Sequence, residues 1–211
     1  MTTKTAPADP RTAKRALRAH ARDRRAEAHG ALAETAGDTL RDTVLAAIDI
    51  PRGAVIGSYW PFRDEIDWAP LLQRLHDAEH EIGLPVVTAR PKGGKPRPMT
   101  FRPWRPGMRL AKGRLGEPSL PPDVDYGAGD LVPTLLLVPL LAFDRRGYRI
   151  GYGGGNFDAT IAHLHASGSP LITVGLAYSA QEVDAVPTEA HDEPLDWIVT
   201  EREAIKIGAA G

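Results

Sequence analysis

The chain has 211 residues, 42% of them apolar and 25% charged, with a formal net charge of −1. That size and balance fit one soluble globular domain with a real core and exclude a disordered chain, and near-neutrality makes any attraction for a partner local rather than global. The absence of cysteine excludes disulfides, thiolate metal sites and cysteine nucleophiles and fits a reducing, cytoplasmic setting, and no apolar stretch is long enough to span a membrane.

In chain order, residues 1–9 are expected to be flexible. A helix is predicted over 11–28, with Asp9 or Thr12 as a cap and Pro10 near the first turn. A second helix is predicted over 31–48, carrying Leu32, Leu40, Val44, Leu45 and Ile48 at helical spacing and ending before Pro51. Ala54–Gly57 reads as a strand that leads into the aromatic turn Tyr59-Trp60-Pro61-Phe62. A third helix follows from Trp68 to His80, and Ile82–Val87 reads as a strand. The stretch 91–133 is a proline- and glycine-rich basic insertion. It holds nine of the 19 prolines, and Arg90 to Arg114 carries nine Lys/Arg with no acidic residue. Short strands around Met99–Phe101 interrupt an otherwise extended loop. Leu135–Val138 is a strand, Ala159–Ala166 a helix, Leu171–Ala177 a strand and Trp197–Thr200 a last strand. Strands alternating with helices predict an α/β fold with an open, mostly parallel sheet sandwiched by helices. Sites in such sheets lie at the carboxyl ends of strands. The turn at Glu65, the glycine segment after 150 and Tyr178-Ser179 all follow such ends.

The most informative segment runs from Leu135 to Asp158. A buried-strand pattern leads through Phe143-Asp144 and a turn at Arg146-Gly147 to Arg149, then Gly151, Gly153, Gly154 and Gly155, then Asp158. Glycines let backbone N–H groups converge into an anion-binding concavity. A guanidinium on one side and a carboxylate on the other suit a phosphate chain carrying a divalent cation. The alternative is a tight turn that only joins strand to helix. The segment has neither the Gly-Lys-Ser/Thr ending of a P-loop nor the dinucleotide spacing, so positive charge must come from elsewhere. Arg11, Lys14, Arg18, Arg22 and Arg25 recur at steps of three and four and share one helix face. Lys14 and Arg18 could complete a phosphate site from there. Trp60 and Phe62 with Glu65 could stack a flat heterocycle and bind its polar edge, or pack core and cap a helix. Asp192 and Asp196 offer further carboxylates that could join Asp158 at a magnesium ion.

Together these segments resemble the 5-formyltetrahydrofolate cyclo-ligase family, also called methenyltetrahydrofolate synthetases. The resemblance covers most of the chain in order: Lys14-Arg15-Ala16-Leu17-Arg18, Asp64-Glu65-Ile66-Asp67, VPLLAFDRRGYRIGYGGGNFD at 138–158, Pro187 through Asp192, and LDWIVTE at 195–201. It implies one cyclo-ligase domain over 1–211, an open α/β sandwich of NagB-like three-layer architecture. It also implies ATP- and magnesium-driven closure of 5-formyltetrahydrofolate to 5,10-methenyltetrahydrofolate. Carried over by position, it implies ATP contacts from Lys14, Arg18, Arg149, Gly151, Tyr152, Gly153, Gly154, Gly155, Asn156 and Phe157. Arg149 is then the catalytic cation and Asp158 and Asp196 the metal-binding carboxylates. Trp60, Glu65, Tyr152 and Asn156 fall where the family holds the folate. One position departs: the family usually reads Gly-Tyr-Tyr-Asp, where this chain reads Gly155-Asn156-Phe157-Asp158, and asparagine cannot stack on the folate as tyrosine does.

The implied partners are ATP and 5-formyltetrahydrofolate, whose anionic polyglutamate tail the basic segment 90–114 would favour. No membrane or nucleic-acid partner is expected, and the chain is expected to be a monomer or weak dimer. Two other readings remain: a folate-binding module without catalysis, suggested by Asn156, and an RNA-binding relative using Arg102, Arg105 and Arg109.

Overall fold

In the computed structural model, residues 9–86, 94–113, 116–122, 126–127 and 129–208 are described. The flexible segment expected over 1–9 therefore lies, apart from Asp9, outside the described residues, as do Arg90, Lys92 and Arg114 of the basic stretch. Among the described residues no helix is long and apolar enough to cross a membrane.

The chain opens with one helix, α1 (Pro10–Ala47), where the sequence predicts two. The expected break fails for a physical reason. Gly30 is exposed and a side chain there would meet nothing, so its cost is only the roughly 1 kcal/mol of glycine's helix propensity. Meanwhile Ala28, Leu32, Ala36, Leu40, Val44 and Ile48 recur every four residues across that point and pack into one core, which holds the two halves in line.

The remaining elements are β1 (Val55–Gly57), α2 (Ala69–Asp77), β2 (Glu81–Val86), β3 (Thr100–Pro103), β4 (Ala111–Lys112), β5 (Pro118–Ser119), β6 (Leu135–Pro139), β7 (Ala142–Phe143), β8 (Arg149–Ile150), α3 (Asn156–Ala166), β9 (Ile172–Leu176), β10 (Trp197–Val199) and β11 (Ala204–Lys206). The main sheet has the order β11-β10-β9-β6-β1-β2-β3. Its five inner strands pair in parallel, and the edge strands β3 and β11 run antiparallel. The fold is thus the predicted α/β architecture, with a mostly parallel sheet flanked by helices. The basic stretch contributes edge strand β3 and the small β4–β5 pair. Residues 142–150 form a second small antiparallel pair, β7–β8, where the sequence shows only the turn at Arg146-Gly147.

The uninterrupted apolar run in β6 follows from burial on both faces. Leu135 and Leu137 join the core under α1 and α2, with Ile56, Leu71 and Leu72. Leu136 and Val138 join the opposite core, with Ile161 and Leu164 of α3 and Ile198 of β10. Both faces are apolar and covered, so the site is left to the loops at the strand ends.

One close approach fixes α1 against the loop before α2. A side chain at Gly37 would run into the main-chain carbonyl of Asp67, and the carbonyl has no freedom to yield. Gly37→Ala should therefore lower the thermal midpoint by about 3 °C or more in a scanning calorimeter, despite alanine's better helix propensity. A rise in the midpoint would show that the two elements are not in contact.

Candidate functional site

The amino-terminal half of α1 turns Lys14, Arg18, Ala21, Arg25 and Ala28 to the protein, while Arg11 and Arg22 stay in solvent. Lys14 is 6% and Arg25 1% exposed, and charges that deep require partners. Each finds them on a different loop. Lys14 Nζ donates to Asp192 Oδ2 at 2.5 Å and Glu189 Oε2 at 3.0 Å. Arg18 Nε donates to Gly151 O at 2.9 Å. Arg25 forks onto Asp64 at 2.9 and 3.2 Å, donates to Tyr152 Oη at 2.7 Å and lies 3.5 Å from Glu65 Oε1.

The glycine loop leaves the β7–β8 pair beside the carboxyl end of β6, where Leu141 N–H donates to Ile150 O. Two of its glycines are required by geometry. Gly153 has φ +94°, and a side chain there would sit 3.4 Å from the Arg18 guanidinium. Gly155 has φ +68°, is the N-cap of α3, and approaches Pro96 too closely for a Cβ. Among the described residues no side chain caps α3, and Gly153 and Gly154 are exposed. An open helix amino terminus of this kind attracts anions.

Beside the loop, Arg149 is buried with its fork shared between Asp158 Oδ1 at 2.8 Å and the Glu193 carbonyl at 2.6 Å. Asp158, in the first turn of α3, also accepts from Glu193 N–H at 3.3 Å. Lys14, Arg149, Asp158, Glu189 and Asp192 thus form a mosaic of both signs around residues 189–193. Burial works to lower the Arg149 pKa against the opposing pull of Asp158.

The turn after β1 supplies the other half. Glu65 is 6% exposed and accepts from Phe62 N–H at 2.9 Å. Burial pushes its carboxyl up to about 7, against the pull of Arg25. At Asp64 burial acts in the same direction, but Arg25 outweighs it and the carboxyl sits below its usual range. Trp60 is half-buried, edge-on to Trp68 and tilted against Trp104. Tyr59 meets Phe157 of α3 edge-to-face at 6.5 Å, which joins this aromatic wall to the glycine loop. Tyr178, after β9, is fully buried and reaches back to His29 of α1.

The structure therefore brings together Arg18, Arg149, Gly151, Tyr152, Gly153, Gly154, Gly155, Asn156, Phe157 and Asp158, with Lys14 one ion pair away through Asp192. Glu65 and Trp60 stand on the adjoining turn. Asp196 is not brought to this group. Its carboxylate accepts from Thr173 N–H and Oγ1 at 2.7 and 2.8 Å, at the amino-terminal end of β9. Among the described residues, no three His, Asp or Glu side chains form a ready-made metal cage. Sequence reasoning missed the junction role of Arg25 and the partner roles of Asp64 and Glu189. The seven-residue step from Arg18 to Arg25 carried that signal, but nothing local named the partners.

A profile of the 5-formyltetrahydrofolate cyclo-ligase family matches residues 10–201. A protein of Escherichia coli named 5-formyltetrahydrofolate cyclo-ligase is 34% identical over 152 residues, 69% of this chain and 76% of the relative. One of the same name from Haemophilus influenzae is 33% identical over 142 residues, 66% of this chain and 72% of its own. The solution structure of 5,10-methenyltetrahydrofolate synthetase from Aquifex aeolicus superposes with a TM-score of 0.70 at 22% identity, covering 94% of each chain, and so shares the fold. By the extent of the profile match and the identity to these relatives, the chain belongs to the 5-formyltetrahydrofolate cyclo-ligase family.

Proposed function

We propose that the protein closes 5-formyltetrahydrofolate to 5,10-methenyltetrahydrofolate with consumption of ATP and release of ADP and phosphate. The observation that carries this reading is the solvent-open glycine loop at the uncapped head of α3, flanked by Arg18 and Arg149 and joined to the Glu65 turn. The name its relatives carry supports the reaction class, and the loop chemistry supports the nucleotide.

In this reading the triphosphate lies along the main-chain N–H groups from Gly151 to Phe157, with Arg18 and Lys14 supplying cations from α1. To meet phosphate, Lys14 exchanges its bonds to Glu189 and Asp192. Glu65 binds the polar edge of the folate ring, with Trp60 as an apolar wall and Tyr152 and Asn156 on the loop side. The formyl oxygen is a poor leaving group. Its lone pair attacks the γ-phosphorus, the bond to ADP breaks, and an iminium phosphate results. N10 then attacks the activated carbon and loses its proton, and phosphate departs with the former formyl oxygen. Phosphoryl transfer needs alignment and charge neutralisation more than a protein nucleophile. Arg149 and the loop amides neutralise charge on the transferring group.

The donor set also fits magnesium. Magnesium is held by one or two carboxylates with phosphate and water completing its octahedron, so the lack of a full protein cage is no obstacle. Asp158 is the carboxylate beside the loop, and the bound ion would neutralise phosphate charge there. A role for Asp196 requires its carboxylate to leave both Thr173 donors.

Mixing protein, Mg-ATP and 5-formyltetrahydrofolate should produce methenyltetrahydrofolate absorbance. Binding of folate without product or ATP hydrolysis would instead favour the non-catalytic module that Asn156 suggests. Asp158→Asn and Arg149→Ala should each lower turnover on the order of 100-fold with the fold retained by circular dichroism. Asp196→Asn should lose far less, and a loss as large would place that carboxylate at the metal. The exposed Lys95, Arg97, Arg105 and Arg109 support a preference for polyglutamylated substrate. The Michaelis constant should fall with tail length, and its indifference to length would remove that role.

The pH dependence follows from Glu65. With its carboxyl raised to about 7, it is ionised above that pH and protonated below it. At saturating ATP the Michaelis constant for the folate should rise as pH falls through 7, as the acceptor for ring N–H groups is lost, while the Glu65→Gln profile should lack this limb. A wild-type constant flat from pH 6 to 8 would contradict the assignment.

A further inference from the structure

The reaction scheme gives no task to the most deeply buried cation in the site. Arg25 is 1% exposed and so cannot touch either substrate. Yet its guanidinium hydrogen-bonds to both halves of the site, which otherwise meet through the Tyr59–Phe157 ring contact. Its Nε and Nη2 hold Asp64, and its Nη1 faces Glu65, both on the turn after β1. Nη2 also donates to Tyr152 Oη at 2.7 Å, and the Tyr152 ring lies against the guanidinium with its centroid 5.6 Å from Cζ. Tyr152 stands between Gly151, whose carbonyl Arg18 holds, and Gly153, against which Arg18 packs. Helix α1 therefore grips three consecutive loop residues, and the middle grip is the one shared with the substrate turn.

We propose that Arg25 is a positioning residue that couples the two halves, so that occupancy of the glycine loop by the nucleotide and of the Glu65 turn by the folate favour each other. This rests on the proposed function and deepens it. The physical basis is that a planar fork has fixed directions. If Tyr152 moves as phosphates settle on the loop, the guanidinium must turn with it, and Asp64 and Glu65 are carried along. Tyr59 and Tyr152 border Glu65, and His29 acts on Asp64 from α1, but none of these three side chains offers a planar fork to take the place of Arg25. Two sites that bias one shared element are linked reciprocally, each ligand tightening the other by the same factor.

The test uses the full-length protein, a non-hydrolysable ATP analogue with magnesium, and 5-formyltetrahydrofolate, with dissociation constants from titration calorimetry. In the wild type, saturating folate should tighten the analogue about fivefold or more. Asp64→Asn and Tyr152→Phe, which remove one bond each without changing shape, should both bring that ratio close to one. The double variant should do no more than either single. Arg25→Lys, which keeps the charge and loses the fork, should give the same result if it folds, and the other variants carry the test if it does not. A merely structural network would lower the thermal midpoint and leave the ratio intact, which would overturn the proposal. So would a wild-type ratio of one with both ligands bound. A wild-type chain that binds neither ligand ends the proposed function instead. The thermal midpoints of the wild type, the two single variants Asp64→Asn and Tyr152→Phe and their double then decide the linkage. Losses that add overturn it, and a double variant no worse than the poorer single sustains it.

Discussion

The site depends on the pairing of cations buried along one face of α1. Lys14 and Arg25 are nearly removed from water, and an unpaired charge at that depth would cost several kcal/mol. Lys14 is satisfied by residues 189–193, and Arg25 by both the Asp64-Glu65 turn and the glycine loop. Those segments are far apart in sequence, and the helix gathers them at the carboxyl ends of β1 and β6. The sheet sets where the loops begin, and the helix sets where they end.

The glycine loop answers two demands at once. Its backbone must take a positive φ at Gly153 and pass Pro96 at Gly155 more closely than a Cβ allows, and it leaves the head of α3 without a side-chain cap. In this stretch Gly153 and Gly154 are exposed to solvent. Around it the protein's own carboxylates hold the cations, Asp158 on Arg149 and Glu189 with Asp192 on Lys14, so the charge at the loop is organised in advance. The departure at Asn156 sits on the exposed side of this loop, away from the contacts that anchor it.

Much of this was legible from the sequence. The parallel α/β sheet followed from strand-helix alternation, and the unbroken LLLV of β6 followed from its two buried faces. The loop after β6 declared itself through glycine spacing beside Arg149 and Asp158. The single helix α1 was not legible, because Gly30 reads as a stop until one sees that the stripe on either side packs into one core. Edge strand β11 was missed since three residues, Ala204–Lys206, carry too short a pattern. The position of Asp196 was hidden for a different reason: a carboxylate looks the same in sequence whether it faces a metal or two Thr173 donors. The fork of Arg25 was hidden because its partners lie 39 and 127 residues away. Side-chain spacing identifies a face, and only the fold identifies what that face meets.

The central claim is that the main-chain amides from Gly151 to Phe157 form the phosphate-binding surface. Following backbone amide resonances while a non-hydrolysable ATP analogue and magnesium are added tests this directly. The account predicts that the largest shifts fall on Gly151 to Asp158, with smaller ones along α1 at Lys14 and Arg18. Saturable binding that leaves the glycine amides unmoved and shifts another surface would contradict it.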